Sequence, residues 1–261
     1  MDRRLIFITN DDGYQACGLN VLIEMMRPYG DIVVVAPVEA QSGMSSALTV
    51  KTPVRLRKIK EEPGLNIYAC SGTPVDCVKL AMSHVLTRKP DLLVSGINHG
   101  SNTSISVIYS GTLGAAAEGA LYEIPSIGFS LNDYSSSADF SACIPYGRMI
   151  IEKALNMPFH KNTFLNVNFP RLPHNQIKGI KLCRQNLGSW ADEFEKRTDP
   201  HGHDYYWMTG IFLNHEKEAN DTDENAMAAG YIAVVPHHLD MTDYRELERL
   251  KKEWGSIGSQ N

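Results

Sequence analysis

The sequence predicts an α/β fold, namely a Rossmann-like three-layer sandwich with a mainly parallel sheet and a C-terminal β-hairpin and helix extension. Short continuous apolar runs recur over residues 1–170, as expected for strands buried on both faces. Segments with helix signals separate these runs, and this alternation indicates βαβ units. The 261 residues suit a single domain, 1–261, in which about 1–170 form the core and about 171–261 the extension.

The predicted core elements follow one another regularly. The strands are Leu5–Thr9, Ile32–Ala36, Asn66–Cys70, Asp91–Ser95, Ser126–Ser130 and Phe164–Phe169. The helices are Gly18–Arg27, one that starts after Thr73, Gly111–Leu121 and Phe140–Leu155. The helix after Thr73 has the clearest start, because Thr is a good cap, Pro74 suits the first helical position and Asp76 places an acid in the first turn.

The extension shows a different pattern, with longer strands and charged helices. Its predicted elements are strands Lys178–Arg184, Tyr205–Leu213 and Tyr231–Val235, and helices Thr222–Ala229 and Asp243–Trp254. The aromatic start of the second strand suits a hairpin. The tail after Gly255 is expected to be loosely ordered.

Composition excludes several classes of partner. Lys and Arg total 25 against 30 Asp and Glu, a net charge of −5, which provides no general basic field for a nucleic-acid polymer. No apolar run approaches the ~20 residues of a membrane span. The five cysteines are scattered and contain no Cys-x-x-Cys pair, so we expect reduced thiols in a cytoplasmic protein.

Polar side chains follow three of the predicted strands, where an open α/β sheet binds its ligands. Asp11 and Asp12 come after the first strand, Ser42 after the second and Asn98 after the Asp91–Ser95 strand. Adjacent carboxylates raise each other's pKa unless a cation or hydrogen-bond donors stabilise them. Together with the Ser42 hydroxyl and the Asn98 carbonyl they offer the oxygen ligands that Mg²⁺ or Mn²⁺ prefers. An Asx turn with a helix cap explains the two aspartates equally well at this point.

Ser110, Gly111 and Thr112 open the Ala-rich helix. The free N–H groups and positive dipole end of a helix start can bind an anion, although an ordinary Ser or Thr cap gives the same sequence. No G-x-x-x-x-G-K-[ST] motif is present, and no G-x-G-x-x-G follows the first strand. A metal site and a phosphate site on one sheet edge favour metal-assisted hydrolysis of a phosphate ester.

Beyond these single sites, the chain resembles the SurE family of stationary-phase survival proteins over nearly its whole length. The motifs that carry the resemblance are Thr9-Asn10-Asp11-Asp12-Gly13-Tyr14, Gln41-Ser42-Gly43, Ser71-Gly72-Thr73-Pro74, Ser95-Gly96-Ile97-Asn98, Tyr109-Ser110-Gly111-Thr112, Asn166-Val167-Asn168-Phe169-Pro170, Asp199-Pro200 with Tyr205-Tyr206-Trp207, and Leu239-Asp240 with Thr242-Asp243-Tyr244. The loop Thr103-Ser104-Ile105-Ser106 departs from the family pattern, in which Gly and Asp are frequent.

The resemblance implies a metal-dependent nucleotidase that acts on nucleoside 5′- and 3′-monophosphates, and also on short polyphosphate. It implies one divalent ion per subunit, Mg²⁺ or Mn²⁺, held by Asp11, Asp12, Ser42 and Asn98. Either aspartate could orient or deprotonate the attacking water. Ser110, Gly111 and Thr112 would contact the phosphate, with Asn102 nearby. Family members form homodimers or homotetramers, often with exchange of the C-terminal segment.

Other interpretations stay open from sequence alone. The clusters His201-Gly202-His203-Asp204 and His237-His238 with Asp240 resemble metal ligands, but turn and capping chemistry explains them better. Tyr205, Tyr206 and Trp207 could stack on a nucleobase, although cross-strand packing is more common. A receiver-like phospho-switch would need a phospho-accepting Asp and a late-strand Lys, which the predicted strand ends lack. A non-catalytic nucleotide-binding protein on the same fold is the other alternative.

Overall fold

The computed structural model describes residues 3–255, so the predicted loose tail after Gly255 lies outside the described residues. The strands are β1 (Arg4–Thr9), β2 (Gly30–Pro37), β3 (Leu56–Glu62), β4 (Leu65–Cys70), β5 (Leu92–His99), β6 (Ser126–Leu131), β7 (Thr163–Phe169), β8 (Ile180–Leu182), β9 (Gly188–Ala191), β10 (Phe194–Thr198), β11 (Asp204–Met208), β12 (Ile211–Asn214) and β13 (Ile232–His238). The helices are α1 (Cys17–Met26), α2 (Pro74–Leu80), α3 (Gly111–Leu121), α4 (Cys143–Asn156), α5 (Asp223–Ala228) and α6 (Tyr244–Trp254).

A nine-stranded sheet forms the centre of the fold, in the order β3-β4-β2-β1-β5-β6-β7-β13-β8. Six of its neighbouring pairs, from β4 through β7 and between β13 and β8, are parallel. The pairs β3–β4 and β13–β7 are antiparallel. The predicted fold class, a mainly parallel α/β sandwich, is confirmed.

The alternation of side chains along β1 explains the three layers. Ile6 and Ile8 pack into a core with residues of α1 and α4, whereas Phe7 between them packs into a second core with residues of α2. Because successive strand residues point to opposite faces, a fully apolar strand requires helices on both sides. This is the physical basis of the continuous apolar runs in the sequence.

Most predicted core elements are present, with ends that differ by one to a few residues. Helix α1 begins at Cys17 and ends at Met26, one residue before the prediction at each end. Helix α2 starts as predicted, since the Thr73 side chain accepts a hydrogen bond from the Asp76 amide and the Asp76 side chain accepts one from Thr73. The predicted start of α4 at Phe140 is wrong, because the helix begins at Cys143.

Two differences in the sheet have clear causes. Strand β3 was not predicted because its sequence, LRKIKEE, is charged and lies almost fully exposed at the sheet edge. Strand β5 continues beyond the predicted end at Ser95 to His99, because its pairing with β6 resumes at Asn98 after a register shift. Asn98 therefore lies within an irregular strand end and not in a following loop.

The prediction of the extension was less accurate. A single strand over Tyr205–Leu213 is wrong, because the chain turns at Thr209 and Gly210 and the two halves pair with different partners. Strand β11 pairs with β10, and β12 pairs with β9. The predicted strand Lys178–Arg184 shortens to β8, and neither β9 nor β10 was predicted. Strand β10 is exposed throughout, so its sequence carries no alternation of buried and exposed residues.

Within residues 3–255, no helix combines the length and apolar character needed to cross a membrane.

Candidate metal and phosphate site

A cavity of about 590 Å³ opens at the carboxyl ends of the central parallel strands. Five of the predicted site residues line it, namely Asp11, Ser42, Asn98, Asn102 and Ser110. Asp12, Gly111 and Thr112 are not part of its wall. They lie behind it, where Asp12 and Thr112 hydrogen-bond to residues of the cavity wall. The parallel sheet therefore brings the predicted metal and phosphate residues together.

Asp11 is buried against the start of α3. The Thr112 hydroxyl donates a hydrogen bond to Asp11 Oδ1. A Cβ atom at Gly111 would lie 2.9 Å from the Cβ of Asp11, so this approach requires glycine. Burial raises the pKa of Asp11, the Thr112 hydrogen bond lowers it and the negative charge of Asp12 raises it, and together these effects place it at about 6.

Asp12 contacts the end of β5, the strand that contains Asn98. Burial raises the pKa of Asp12, and the hydrogen bond from the His99 backbone N–H opposes this rise. That N–H lies 3.2 Å from Asp12 Oδ2. The Asn98 side-chain nitrogen donates to the carbonyl of Gly100 at 2.9 Å, which leaves the Asn98 carbonyl oxygen to act as a ligand.

Asn102 is held by a group of buried amides that sequence reasoning did not identify as part of the site. Its backbone N–H donates to Asn168 Oδ1 at 2.7 Å, and its carbonyl accepts from Asn166 Nδ2 at 2.8 Å. Its side-chain nitrogen donates to Ser130 Oγ at 2.8 Å. The position of Asn102 on the cavity wall is thus set by β6 and β7.

Ser110 is the N-cap of α3, since its hydroxyl accepts a hydrogen bond from the Leu113 amide at 3.1 Å. The cap interpretation of this motif therefore holds. It does not compete with anion binding, because a capped helix still presents its first-turn N–H groups and dipole end.

The charge of the cavity wall decides what the cavity can bind. Among the described residues that line it there is no Lys or Arg, while Asp11 and Glu193 are both acidic. A phosphate group has no positively charged side chain to neutralise it there. The atoms that could coordinate a metal are carboxylate, hydroxyl and amide oxygens, which are the ligands that a hard divalent cation prefers. Residues 3–255 contain no group of three or more His, Cys, Asp and Glu side chains that could hold a metal, so such an ion would depend on Ser42 and Asn98 as well as the two aspartates.

The rest of the wall comes from parts of the chain that the sequence did not connect with the site. Tyr134 follows β6, Trp190 lies on β9, and Glu193, Met208 and Thr209 lie beside the turns of the extension. No motif marks these residues. A signal for Trp190 would have required recognition of β9, which is only four residues long.

The histidine clusters are outside the cavity. Asp199 Oδ1 accepts hydrogen bonds from the His201 and His203 amides, so this cluster is the predicted turn. His238 also has turn chemistry, because its Nδ1 accepts from the Asp240 amide at 3.1 Å. The prediction that His237 and His238 lie in a turn is wrong for the backbone, since both residues belong to β13 and only the His238 side chain contacts the turn that follows.

The aromatic residues Tyr205, Tyr206 and Trp207 lie on β11 with large exposed fractions of 41%, 59% and 57%. None of them lines the cavity. They lie opposite Arg197, Lys196 and Glu195 of β10, respectively.

Comparisons with known proteins agree with this architecture. Residues 6–192 match the family model described as Survival protein SurE. The 5′-nucleotidase SurE of Flavobacterium psychrophilum is 50% identical over 251 residues, which cover 96% of this chain and 97% of that protein. The 5′-nucleotidase SurE of Cytophaga hutchinsonii is 49% identical over 258 residues, 98% of this chain and 99% of that protein. The crystal structure of the SurE protein from Aquifex aeolicus matches with a TM-score of 0.81 and 36% identity, covering 95% of this chain and 98% of that chain.

Proposed function

The chain belongs to the SurE family of 5′-nucleotidases, and on that premise we propose that it hydrolyses nucleoside 5′- and 3′-monophosphates to nucleoside and phosphate with one divalent metal ion, Mg²⁺ or Mn²⁺, per subunit. One observation carries the proposal. The cavity brings Asp11 together with Ser110 at the start of α3, and its described lining residues include no Lys or Arg. A phosphate ester would therefore need a bound cation to enter it.

Asp11, Asp12, the Ser42 hydroxyl and the Asn98 carbonyl would hold that ion. When bound, the ion supplies Lewis-acid stabilisation of the charge that develops on the phosphoryl oxygens. The start of α3, with Ser110, Gly111 and Thr112, offers backbone donors and a positive dipole end to the same phosphate.

The attacking water needs a base, and the aspartates are the candidates. A water would attack phosphorus in line, pass one proton to the carboxylate of Asp11 or Asp12, and displace the nucleoside oxygen, which takes a proton from solvent. Asn102 would position the adjoining loop, since its own amide nitrogen donates to Ser130.

The test is phosphate release from 5′-AMP and 3′-AMP with Mg²⁺, with Mn²⁺ and with a chelator. We expect metal-dependent release that falls at least about 100-fold in Asp11→Asn, the size of effect seen when a principal catalytic group is removed. Asp31→Asn is the matched control, because Asp31 is an exposed carboxylate at the start of β2, paired with Arg3. Its activity should equal that of the wild type.

Two results would contradict the proposal. Release that persists in chelator would exclude the metal, and no release from well-folded protein with either metal would favour the non-catalytic nucleotide-binding alternative. A receiver-like switch has little support, since the β5 end presents Asn98 and β7 contains no lysine.

Short polyphosphate is a second candidate substrate, with weaker support. Its extra phosphate groups would face walls that carry Glu193 and, among the described lining residues, no cation. We therefore expect slower hydrolysis of polyphosphate than of nucleoside monophosphates.

We also propose that the extension assembles a homodimer or homotetramer with exchange of the C-terminal segment. Strands β10 and β11 are exposed throughout, and α6 has no buried residue. Exposed apolar side chains on these elements include Trp207, Met208 and Trp254, and such patches mark protein interfaces. Light scattering of the full chain should give a dimer or tetramer mass, and a monomer would contradict this proposal.

A cytoplasmic location completes the proposal. All five cysteines are unpaired thiols, as expected in a reducing compartment.

A further inference from the structure

We propose that Trp190 and Tyr134 form a ring-stacking subsite for the nucleobase of the substrate, so that the extension selects nucleotides over other phosphate monoesters. The inference rests on the proposed function and adds residues that determine specificity. Besides the polar strand ends, the cavity is lined by Tyr134 and by residues of the extension, among them Trp190 and Met208.

The rings of Tyr134 and Trp190 lie between two cavities. A smaller cavity of about 210 Å³ adjoins the main one, and Ser101, Ser106, Tyr134 and Trp190 line both. The combined space suits a nucleotide, since small-molecule sites span ~300–1,000 Å³. A planar group that enters from the phosphate end therefore meets an indole and a phenol ring.

Trp190 is firmly placed and yet half-buried. Its ring packs edge-on against Phe212, with centroids 5.6 Å apart and an interplanar angle of 65°. Its Cε3 atom lies 3.1 Å from the position that a Cβ of Gly210 would take. A side chain held in this way loses little further conformational freedom when a ligand stacks on it.

Tyr134 is 72% exposed, so most of its ring is open to a ligand. Its ring lies against Gly100, where a Cβ would come within 2.3 Å of Cε1. Gly100 is in the segment between Asn98 and Asn102, so Tyr134 stands directly beside the candidate metal and phosphate residues.

The charge of the wall favours a neutral base over a second phosphate. Glu193 lies on the same side as Trp190, and the described lining residues include no Lys or Arg. A further anionic group would be repelled there, whereas a base needs only ring surface and hydrogen-bond partners. Stacking of one base on one aromatic ring is worth about 5- to 150-fold in affinity.

The experiment compares 5′-AMP with ribose 5-phosphate, which has the same phosphoester and sugar but no base. Trp190→Ala should lower kcat/KM for 5′-AMP about tenfold or more, mainly through KM, and change that for ribose 5-phosphate less than about twofold. Trp190→Phe should recover most of the loss, and Tyr134→Ala should shift the ratio in the same direction. Met157→Ala is the control, because Met157 is an exposed large side chain directly after α4, outside both the cavity and the proposed subunit interface.

Equal losses for both substrates in Trp190→Ala would show a merely structural role and overturn the inference, as would unchanged kinetics for both. Equilibrium binding of 5′-AMP and ribose 5-phosphate to the same variants separates this inference from the proposed function. If the wild type hydrolyses neither compound, a loss of 5′-AMP affinity in Trp190→Ala that is not accompanied by a loss of ribose 5-phosphate affinity still supports the subsite. Equal affinities of wild type and variant for 5′-AMP would refute it.

Discussion

Acidification should destabilise this protein through His237, a half-buried histidine on β13. Its ring stacks on Phe164 with centroids 5.4 Å apart, and its Nε2 lies 3.4 Å from the side-chain nitrogen of Asn166. The Asn166 nitrogen can only donate, so the neutral imidazole is the form that fits. Burial lowers the pKa of His237 from 6.5 to about 4.

The sign and size of the effect follow from linkage. Between pH 6.5 and 4 the unfolded chain binds the proton more readily than the folded one, so the free energy of unfolding falls as the pH falls. Each pKa unit corresponds to about 1.4 kcal/mol. A change from pH 7.5 to 5.0 includes the part of this range between 6.5 and 5.0, about 1.5 pH units. Protonation of His237 should therefore lower the free energy of unfolding by about 2 kcal/mol.

Urea denaturation at pH 7.5 and 5.0 measures this loss. His237→Gln keeps a polar side chain that does not titrate, and its stability should fall by about 2 kcal/mol less than that of the wild type over the same interval. His203→Gln is the matched control, since the His203 side chain is 82% exposed, and it should follow the wild type. If wild type and His237→Gln lose the same stability, the reasoning about burial is wrong.

Two further substitutions test the packing around the site. Gly18→Ala would place a Cβ 2.0 Å from the backbone oxygen of Ile97. It should lower the unfolding free energy by about 1–3 kcal/mol and weaken metal binding measured by calorimetry; unchanged stability would contradict the close approach. Asp223→Ala removes the acceptor for the Ser104 and Asn186 amides, at 3.0 and 2.9 Å. It should cost about 2–4 kcal/mol in urea denaturation, and a loss below about 1 kcal/mol would show that water replaces the carboxylate.

Much of the core could be predicted from sequence because its determinants are local. A strand buried on both faces must be apolar at every position, so β1 and β2 appear as uninterrupted runs. A capped helix start is likewise a local signal, as at Thr73. The ends of elements are harder to predict from local sequence. Strand β5, for example, ends where its hydrogen bonds to the neighbouring β6 end.

The meeting of Asp11, Ser42 and Asn98 could also be inferred before the structure. Each follows or ends a strand of one parallel sheet, and the carboxyl ends of parallel strands lie along the same edge. Residues far apart in sequence thus become neighbours for a topological reason. Their roles in metal binding remain a prediction that the Asp11→Asn assay tests.

The aromatic side of the cavity and the support of Asn102 were decided by tertiary structure alone. Asn168 reaches the Asn102 amide across 66 residues of sequence, and Trp190 enters the cavity from a short, half-exposed strand. Such contacts leave no periodic pattern, because only the packed sheet and the turn at Gly210 set their distances. Local sequence patterns are sufficient to specify the layered core and the sheet edge where the polar residues meet. Long-range packing decided what surrounds that edge, because a contact between distant segments depends on the folded positions of both.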